Sequence, residues 1–582
     1  MVKSSTSLLG LSSLSWFVGV AVPVLLAFNQ PPSSTFYNQA AAVVLFGVVL
    51  VALGAKGPSG PQGWRLGPVA PLLGAMALCI VAAFMSGWSR SLPPTLSLGA
   101  TLTLAAAALL VAAAGAARNR STHAAFFAAW LLAGTLSAAI GIVQVFFPQL
   151  ADGDFIARSG LLGRAVGNLR QPNHLSSLLL WSAIAVVPLL DARRLPRVAA
   201  VVLMALMVVG ITLSGSRTGL VGMAVLTLWG LLDRRLQRPA RGLLLSVPLL
   251  FAASWALMTF WAGQTAGTFG AALHMAAGGD ISSSRFGIWR DTLALIRMHP
   301  WTGVGWGEFN FAWTLTPFPQ RPVAFFDHTH NLPLHLAVEL GLPLAAVVLA
   351  LLAWALYLAW QRSRQVPGTE GTAVRAAFMM VLMMALHSQL EYPLWYLYFL
   401  LPTAGAWGVC LGAGPAAALR DRSDDRGTGP APATLLLRAA GLLMVVVGLA
   451  AIADYRRVVV IYAPPANATP LSQRIAEGQG AWLFGHQADY AAATTTDRPG
   501  TAMPALKRAA HNLLDTRLMI AWARAYAEQG DLERARHLAD RLREFRNPNA
   551  AEFFAECDDA SRSPRPFQCT PASQPMDWRD FR

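Results

Sequence analysis

Thirteen apolar runs, each close to the length of a bilayer-crossing helix, account for nearly half of this 582-residue chain. They fall at about 9–28, 38–55, 66–85, 97–117, 123–147, 174–190, 197–213, 217–232, 242–262, 331–360, 374–390, 393–413 and 433–453. A helix needs about 20 apolar residues to cross the hydrocarbon core. Only 13% of the residues are charged, where a soluble chain carries roughly a quarter, so most of the surface must face lipid. The expected fold is all-α: a polytopic membrane protein with one transmembrane helix per run. The first run follows Lys3, and Leu26-Ala27-Phe28-Asn29 after it is a poor cleavage site, so it is expected to stay as an uncleaved span.

The formal net charge of +15 would suggest nucleic acid in a soluble protein. Here the basic residues sit in short loops, which makes them topology signals, and no nucleic-acid partner is expected. Every second loop from the N-terminus is basic: Lys3; Lys56 and Arg65; Arg118 and Arg120; Arg193, Arg194 and Arg197; Arg234, Arg235, Arg238 and Arg241; Arg362, Arg364 and Arg375; Arg420, Arg422 and Arg426. This puts the N-terminus in the cytoplasm and, after thirteen spans, the C-terminus outside. Two outside loops are long, at about 148–173 and 263–330.

The chain therefore divides into a multi-span domain, 1–453, and a polar, helix-rich tail, 454–582. The tail stretch from Ala521 to His537 has the helix–turn–helix spacing of a tetratricopeptide-like repeat. Cys79 and Cys410 lie in spans and read as packing residues. Cys557 and Cys569 lie in the tail, where an oxidising compartment would allow a disulfide.

Polar groups at a bilayer are costly when unpaired, and ionisable ones are functional candidates. Five clusters stand at span ends. The first, Gly167 to His174, holds Arg170, Gln171, Asn173 and His174. A helix cap accounts for Asn173, while amide and imidazole groups also suit sugar or phosphate oxygens. The second is Ser214-Gly215-Ser216-Arg217-Thr218-Gly219. Its arginine breaks the inside bias and offers a planar fork to phosphate; the plain alternative is a snorkelling interface residue. The third carries Arg285, Arg290 and the glycine-rich run from His299 to Glu308, whose glycines permit close backbone approach to a ligand.

The fourth cluster is Asp327-His328-Thr329-His330-Asn331. Histidine is the side chain best able to take a proton near neutral pH. His-x-His can also bind zinc, but no clear third ligand is present. The fifth runs from His387 to Tyr398 and includes Glu391 and Tyr392 among ordinary belt aromatics. All five fall on the non-cytoplasmic side by the charge count.

His328-Thr329-His330-Asn331 followed by an apolar helix with Glu339-Leu340-Gly341 resembles the signature of the O-antigen ligase and polymerase superfamily. So do Ser216-Arg217 and the segment Arg285…His299-Pro300…Gly303-Val304-Gly305. Gln171-Pro172-Asn173-His174 and Glu391-Tyr392-Pro393-Leu394-Trp395-Tyr396 are more similar to one branch, the bacterial protein O-oligosaccharyltransferases. The resemblance covers most of 120–410. It implies a glycosyltransferase of the bacterial inner membrane with its active site facing the periplasm. The donor would be an undecaprenyl-diphosphate-linked glycan and the acceptor a Ser or Thr hydroxyl of a periplasmic protein such as pilin. No nucleotide and no metal is expected.

By motif position, Arg217 and Arg285 would hold the diphosphate and His330 would be the general base. Gln171, Asn173, Glu391 and Tyr392 would position glycan or acceptor, with Arg170, His174, His328 and Asn331 as further substrate contacts. His328 is the other candidate base, and adjacency to Asn331 favours His330. Two other readings are a ligase to lipid A-core or a polysaccharide polymerase, and a lipid-linked sugar transporter. The last would place polar groups near the midplane and repeat its halves, which the sequence does not show.

Overall fold

The structure, a computed structural model, describes residues 4–55, 67–89, 92–116, 120–265, 267–276, 284–413, 432–559 and 563–582. Lys3, Lys56, Arg65, Arg118, Arg420, Arg422 and Arg426 of the charge argument lie outside the described residues.

The helices of the first half are α1 (Ser4–Leu25), α2 (Phe36–Ala55), α3 (Ala70–Trp88), α4 (Pro94–Ala116), α5 (Arg120–Phe146), α6 (Pro172–Asp191), α7 (Arg197–Ser214) and α8 (Arg217–Leu232). Next come α9 (Arg238–Leu245), α10 (Val247–Gln264), α11 (Gly270–Ala276), α12 (Arg285–Met298), α13 (Phe309–Leu315), α14 (Leu332–Gln365), α15 (Gly368–His387), α16 (Leu397–Gly412) and α17 (Pro432–Tyr462). Six helices form the tail: α18 (Leu471–Gln479), α19 (Gly485–Thr495), α20 (Met503–Ala509), α21 (Thr516–Glu528), α22 (Leu532–Phe545) and α23 (Ala551–Ala555).

Ten of these helical stretches are long and apolar enough to cross a bilayer; 13–25, 217–232 and 397–412 are shorter apolar helices. The protein is an all-α, multi-pass membrane protein. Some ends move from their expected places. The run expected to end at 453 continues to Tyr462, and the run expected from 374 starts at Gly368.

Helix α6 is the axis of the bundle. Its apolar stretch is 94% buried, against 22% for α17, whose Leu436, Leu442 and Leu443 face outward. α6 and α15 run antiparallel, as side-chain pairs along them show. Ser177 Oγ lies 2.8 Å from His387 Nδ1, Trp181 Nε1 donates to Met380 O, and Thr372 Oγ1 donates to Asp191 Oδ2. The end of α6 at Asp191 collects the basic loops. Arg375 Nε pairs with Asp233 at 2.8 Å, and Arg235 donates to the Arg364 carbonyl. The polar clusters lie at the opposite end.

The break in α14 follows from two residues. Pro343 has no N–H, which frees the Glu339 carbonyl, and Gly341 takes φ 75° and ψ 162°, outside the helical region. The freed groups pair with the run after α12: Gly305 N–H donates to Glu339 O, Val304 N–H to Val338 O, and Leu342 N–H to Pro300 O. The glycines of this run therefore admit another stretch of backbone, not a ligand as expected. A Cβ on Gly303 would lie 2.5 Å from Glu339 O, and one on Gly341 would lie 2.4 Å from Trp301 O.

Gly341→Ala combines a disfavoured φ with overpacking. It is expected to destabilise this junction by about 2–5 kcal/mol. The check is the temperature at which the detergent-solubilised variant loses its monodisperse elution peak, compared with wild type.

The tail packs directly on the segment before α14. α13 is wholly buried between them, with Trp313 and Phe311 among tail aromatics such as Phe545 and Trp522. Polar ties reinforce the seam: His511 Nδ1 to Glu308 Oε2 at 2.9 Å, Arg321 to Glu544 at 3.0 Å, and Trp578 Nε1 to His299 Nε2 at 3.2 Å. His299 thus serves the seam. α21 and α22 form the helix–turn–helix read from the sequence, turning at Gly530 (φ 81°) with Asp531 as cap. Cys557 and Cys569 are disulfide-bonded.

Candidate active site

Glu391 is the hub at which four chain segments meet. It lies in the turn between α15 and α16. Its Oε1 accepts from Arg285 Nη2 at 2.5 Å and from Asn173 Nδ2 at 3.1 Å, while Oε2 lies 2.9 Å from His330 Nδ1. Asn173 continues the chain of contacts, since its Oδ1 accepts from Ser216 Oγ at 2.6 Å. Ser216 caps α8 by accepting from Gly219 N–H, and so holds Arg217 at the first helical position. One network therefore joins the starts of α6, α8 and α12 to His330 and Glu391.

The backbone is held unusually here. Five described non-glycine residues have positive φ, and three of them, Arg170, Ser284 and His330, lie at or beside this network. Such conformations cost about 1–3 kcal/mol and persist where surrounding contacts over-determine them. At His330, φ of 54° turns the ring toward Glu391 between Phe326 and Tyr392.

Charge explains the proton positions. Burial alone would raise the Glu391 pKa, but the hydrogen bond and charge of His330, with Arg285, outweigh it and hold the carboxyl at about 2. When the His330 ring is neutral, an ionised Glu391 accepts from Nδ1–H and Nε2 carries the lone pair. Arg285 Nε is buried and has no hydrogen-bond partner among the described residues. An orphaned donor beside a hub of this kind suits an acceptor oxygen on a ligand.

Other expected site residues have different work. Gln171, not Asn173, is the cap of α6: its side chain accepts from His174 N–H at 2.6 Å. Asn173 is freed for Glu391. Arg170 points away and ties the α1–α2 loop through the carbonyls of Ala27 and Ser34. His174 is buried inside the bundle against Tyr396, Phe399 and Tyr398, with Nδ1 3.1 Å from the Tyr398 hydroxyl.

Asn331 caps α14 and donates to Gln389 O. His328 diverges from His330. It pairs with Asp327 at 3.0 Å and stacks on Tyr392 at 4.3 Å. Tyr392 thus touches both rings, stacked with His328 and perpendicular to His330. No group of three or more His, Cys, Asp or Glu side chains among the described residues is arranged to hold a metal.

Two contributors were not among the expected residues. Ser216 was adjacent to one, and its hydroxyl is the bridge between Asn173 and the Arg217 turn. Gln144, within α5, anchors the loop before α6 by accepting from Val166 and Gly167 N–H. A lone amide in an apolar run is its sequence signal.

A multi-pass membrane protein with a His–Glu–Arg network at one end of its bundle is the class this architecture defines. Residues 202–349 match the family model described as O-antigen ligase, 375–555 that of the virulence factor membrane-bound polymerase C-terminal region, and 165–190 that of protein glycosylation ligase. Together these matches make three separate segments of the chain similar to O-antigen ligases, membrane-bound polymerases and protein glycosylation ligases.

The chain is similar to a general O-oligosaccharyltransferase of Acinetobacter baylyi, 30% identical over 42% of this chain and 43% of that protein. It is also similar to a ComP-specific O-oligosaccharyltransferase of the same organism, 24% identical over 44% of this chain and 45% of that protein. The matches span less than half the length of these curated relatives.

Proposed function

We propose that the protein transfers a glycan en bloc from an undecaprenyl-diphosphate carrier to a Ser or Thr hydroxyl of a periplasmic acceptor protein such as pilin. The observation that carries this reading is the Glu391 hub, which holds His330 beside Arg285 and is joined through Asn173 and Ser216 to the turn that carries Arg217. His330 Nε2 takes the hydroxyl proton as the acceptor oxygen bonds to the anomeric carbon. The bond from that carbon to the carrier's diphosphate breaks, and the diphosphate leaves with the electron pair. Cations at the leaving oxygens stabilise the charge that develops there. Glu391 holds the ring in place and balances the imidazolium.

The basic loops at the Asp191 end of α6 support a cytoplasmic placement of that end and a periplasmic placement of the site. The disulfide in the tail fits an oxidising compartment. The matches to O-antigen ligase and polymerase models support a second reading, with a lipid A-core or polysaccharide hydroxyl as acceptor.

The discriminating experiment gives cells the protein, a lipid-linked glycan and a candidate pilin, and reads the mass of the pilin and the mobility of the lipopolysaccharide. The expected result is a pilin heavier by one glycan, and Arg217→Lys is expected to lower its yield about tenfold through loss of the planar fork. Glycan on lipopolysaccharide with unmodified pilin would establish the second reading instead.

A further inference from the structure

A cavity of about 440 Å³ lies outside the Glu391 network, between α2, α4 and α17. Phe36 and Gln39 of α2, Thr95 of α4 and Tyr455 of α17 mark one end of it, and Leu109 and Ala440 the other. From Thr95 to Leu109 the helix rises about 20 Å, against a half-thickness of about 15 Å for the hydrocarbon core. The cavity is therefore as deep as one bilayer leaflet. Its side opens toward lipid, since Leu109 and Leu443 line it and are 36% and 62% exposed.

The tail roofs the end marked by Tyr455. Asp454 accepts from the N–H groups of Trp482 at 3.1 Å and Leu483 at 2.9 Å. Phe484 packs edge-on against both Phe36 and Tyr455. These contacts set His486 and Gln487, at the start of α19, into the cavity wall. His486 is 7% exposed, and burial lowers its pKa to about 4, so its ring is neutral. Its Nε2 accepts from Gln487 Nε2 at 3.3 Å, so Nδ1 carries the ring N–H. That N–H is buried and meets no acceptor of ordinary geometry among the described residues. An orphaned donor at the head of an apolar groove suits an ester carbonyl oxygen.

We propose that the cavity holds one acyl chain of a zwitterionic bilayer phospholipid, with an ester carbonyl of its glycerol region at His486. No Asp, Glu, Lys or Arg lines the cavity among the described residues. A carrier diphosphate would find no counter-charge there, while a hydrocarbon chain finds apolar walls. The lipid completes a loosely packed corner. α17 is the least buried of the ten spans, and the chain supplies the contacts missing between it, α2 and α4. It also supports Leu397, which begins α16 after the Glu391 turn.

The test uses the full chain in detergent, stripped of lipid, with an equimolar amount of phosphatidylethanolamine carrying a diazirine on its acyl chain. After irradiation, peptide mass spectrometry is expected to find the label concentrated in 95–109 and 440–451. Gly99 lines the cavity, and a Cβ there would meet nothing within 4 Å. Gly99→Trp should therefore fill the space and lower that labelling about tenfold. Gly263→Trp is the control, because Gly263 is equally open but lies on α10. It should label as wild type does.

The wild-type label map holds even if a variant misfolds. Unlabelled phosphatidylethanolamine should displace the probe, and undecaprenyl phosphate should not. Labelling spread evenly over lipid-facing helices such as α10 would overturn the site, as would unchanged labelling in a folded Gly99→Trp. Displacement by undecaprenyl phosphate would assign the groove to the carrier's chain and overturn the phospholipid. None of these outcomes depends on glycan transfer, so the site and the transfer reading can fail separately.

Discussion

Replacing His330 with alanine is expected to lower glycan transfer by about 10²–10⁴-fold, the usual contribution of a positioned general base. The reason is the geometry at Glu391. Nδ1 is engaged by Oε2 at 2.9 Å, so Nε2 is the only ring nitrogen able to take the acceptor proton. His328→Ala should cost far less, because that ring is paired with Asp327 and stacked on Tyr392 and forms no hydrogen bond or ion pair with Glu391. Transfer measured at equal membrane expression decides between the two. A His330→Ala protein within about threefold of wild type would remove the residue from the chemistry.

Removing Glu391 is expected to have the largest combined effect on folding and activity. The carboxylate is 10% exposed and holds two cationic or ionisable partners. Deleting one member of a buried pair typically costs about 3–5 kcal/mol, since the partner charge stays buried. Glu391→Ala strands Arg285 and releases both the His330 ring and the Asn173 amide.

The pH dependence has a definite sign. The folded-state pKa of Glu391 lies below its ordinary value of 4.5, at about 2. Its contribution to stability is therefore fully present above about pH 4.5 and is lost as pH falls toward 2. Glu391→Gln should flatten this acid limb. The measurement is the fraction of solubilised protein that stays monodisperse from neutral pH downward. An unchanged acid limb in Glu391→Gln would show that the pair does not hold the fold.

Much of the fold was legible because bilayer physics is written locally. A run of apolar residues with charged ends shows itself within about 20 positions, and the five polar clusters at span ends needed no tertiary information. Within the clusters, legibility was uneven. Asn173 and Gln171 are two residues apart and chemically alike, yet one reaches Glu391 and the other caps α6. His174 carries the same imidazole as His330 and is packed among the aromatics of α16. The glycines of the run after α12 read as a ligand approach, but Gly303 and Gly305 meet the backbone of α14 where Pro343 freed a carbonyl.

By itself, then, the sequence determined a many-helix membrane protein, the end of the bundle where its unusual polar groups gather, and the residue types present there. Those follow from hydrophobicity and charge, which act residue by residue. Only the tertiary structure decided that Glu391 is the hub, that the tail shares a core with the segment before α14, and that the tail roofs a cavity between α2, α4 and α17. Each of these joins positions more than 50 residues apart. Their direction is set by helix packing and by a few left-handed backbone positions, and no local pattern in the chain encodes them.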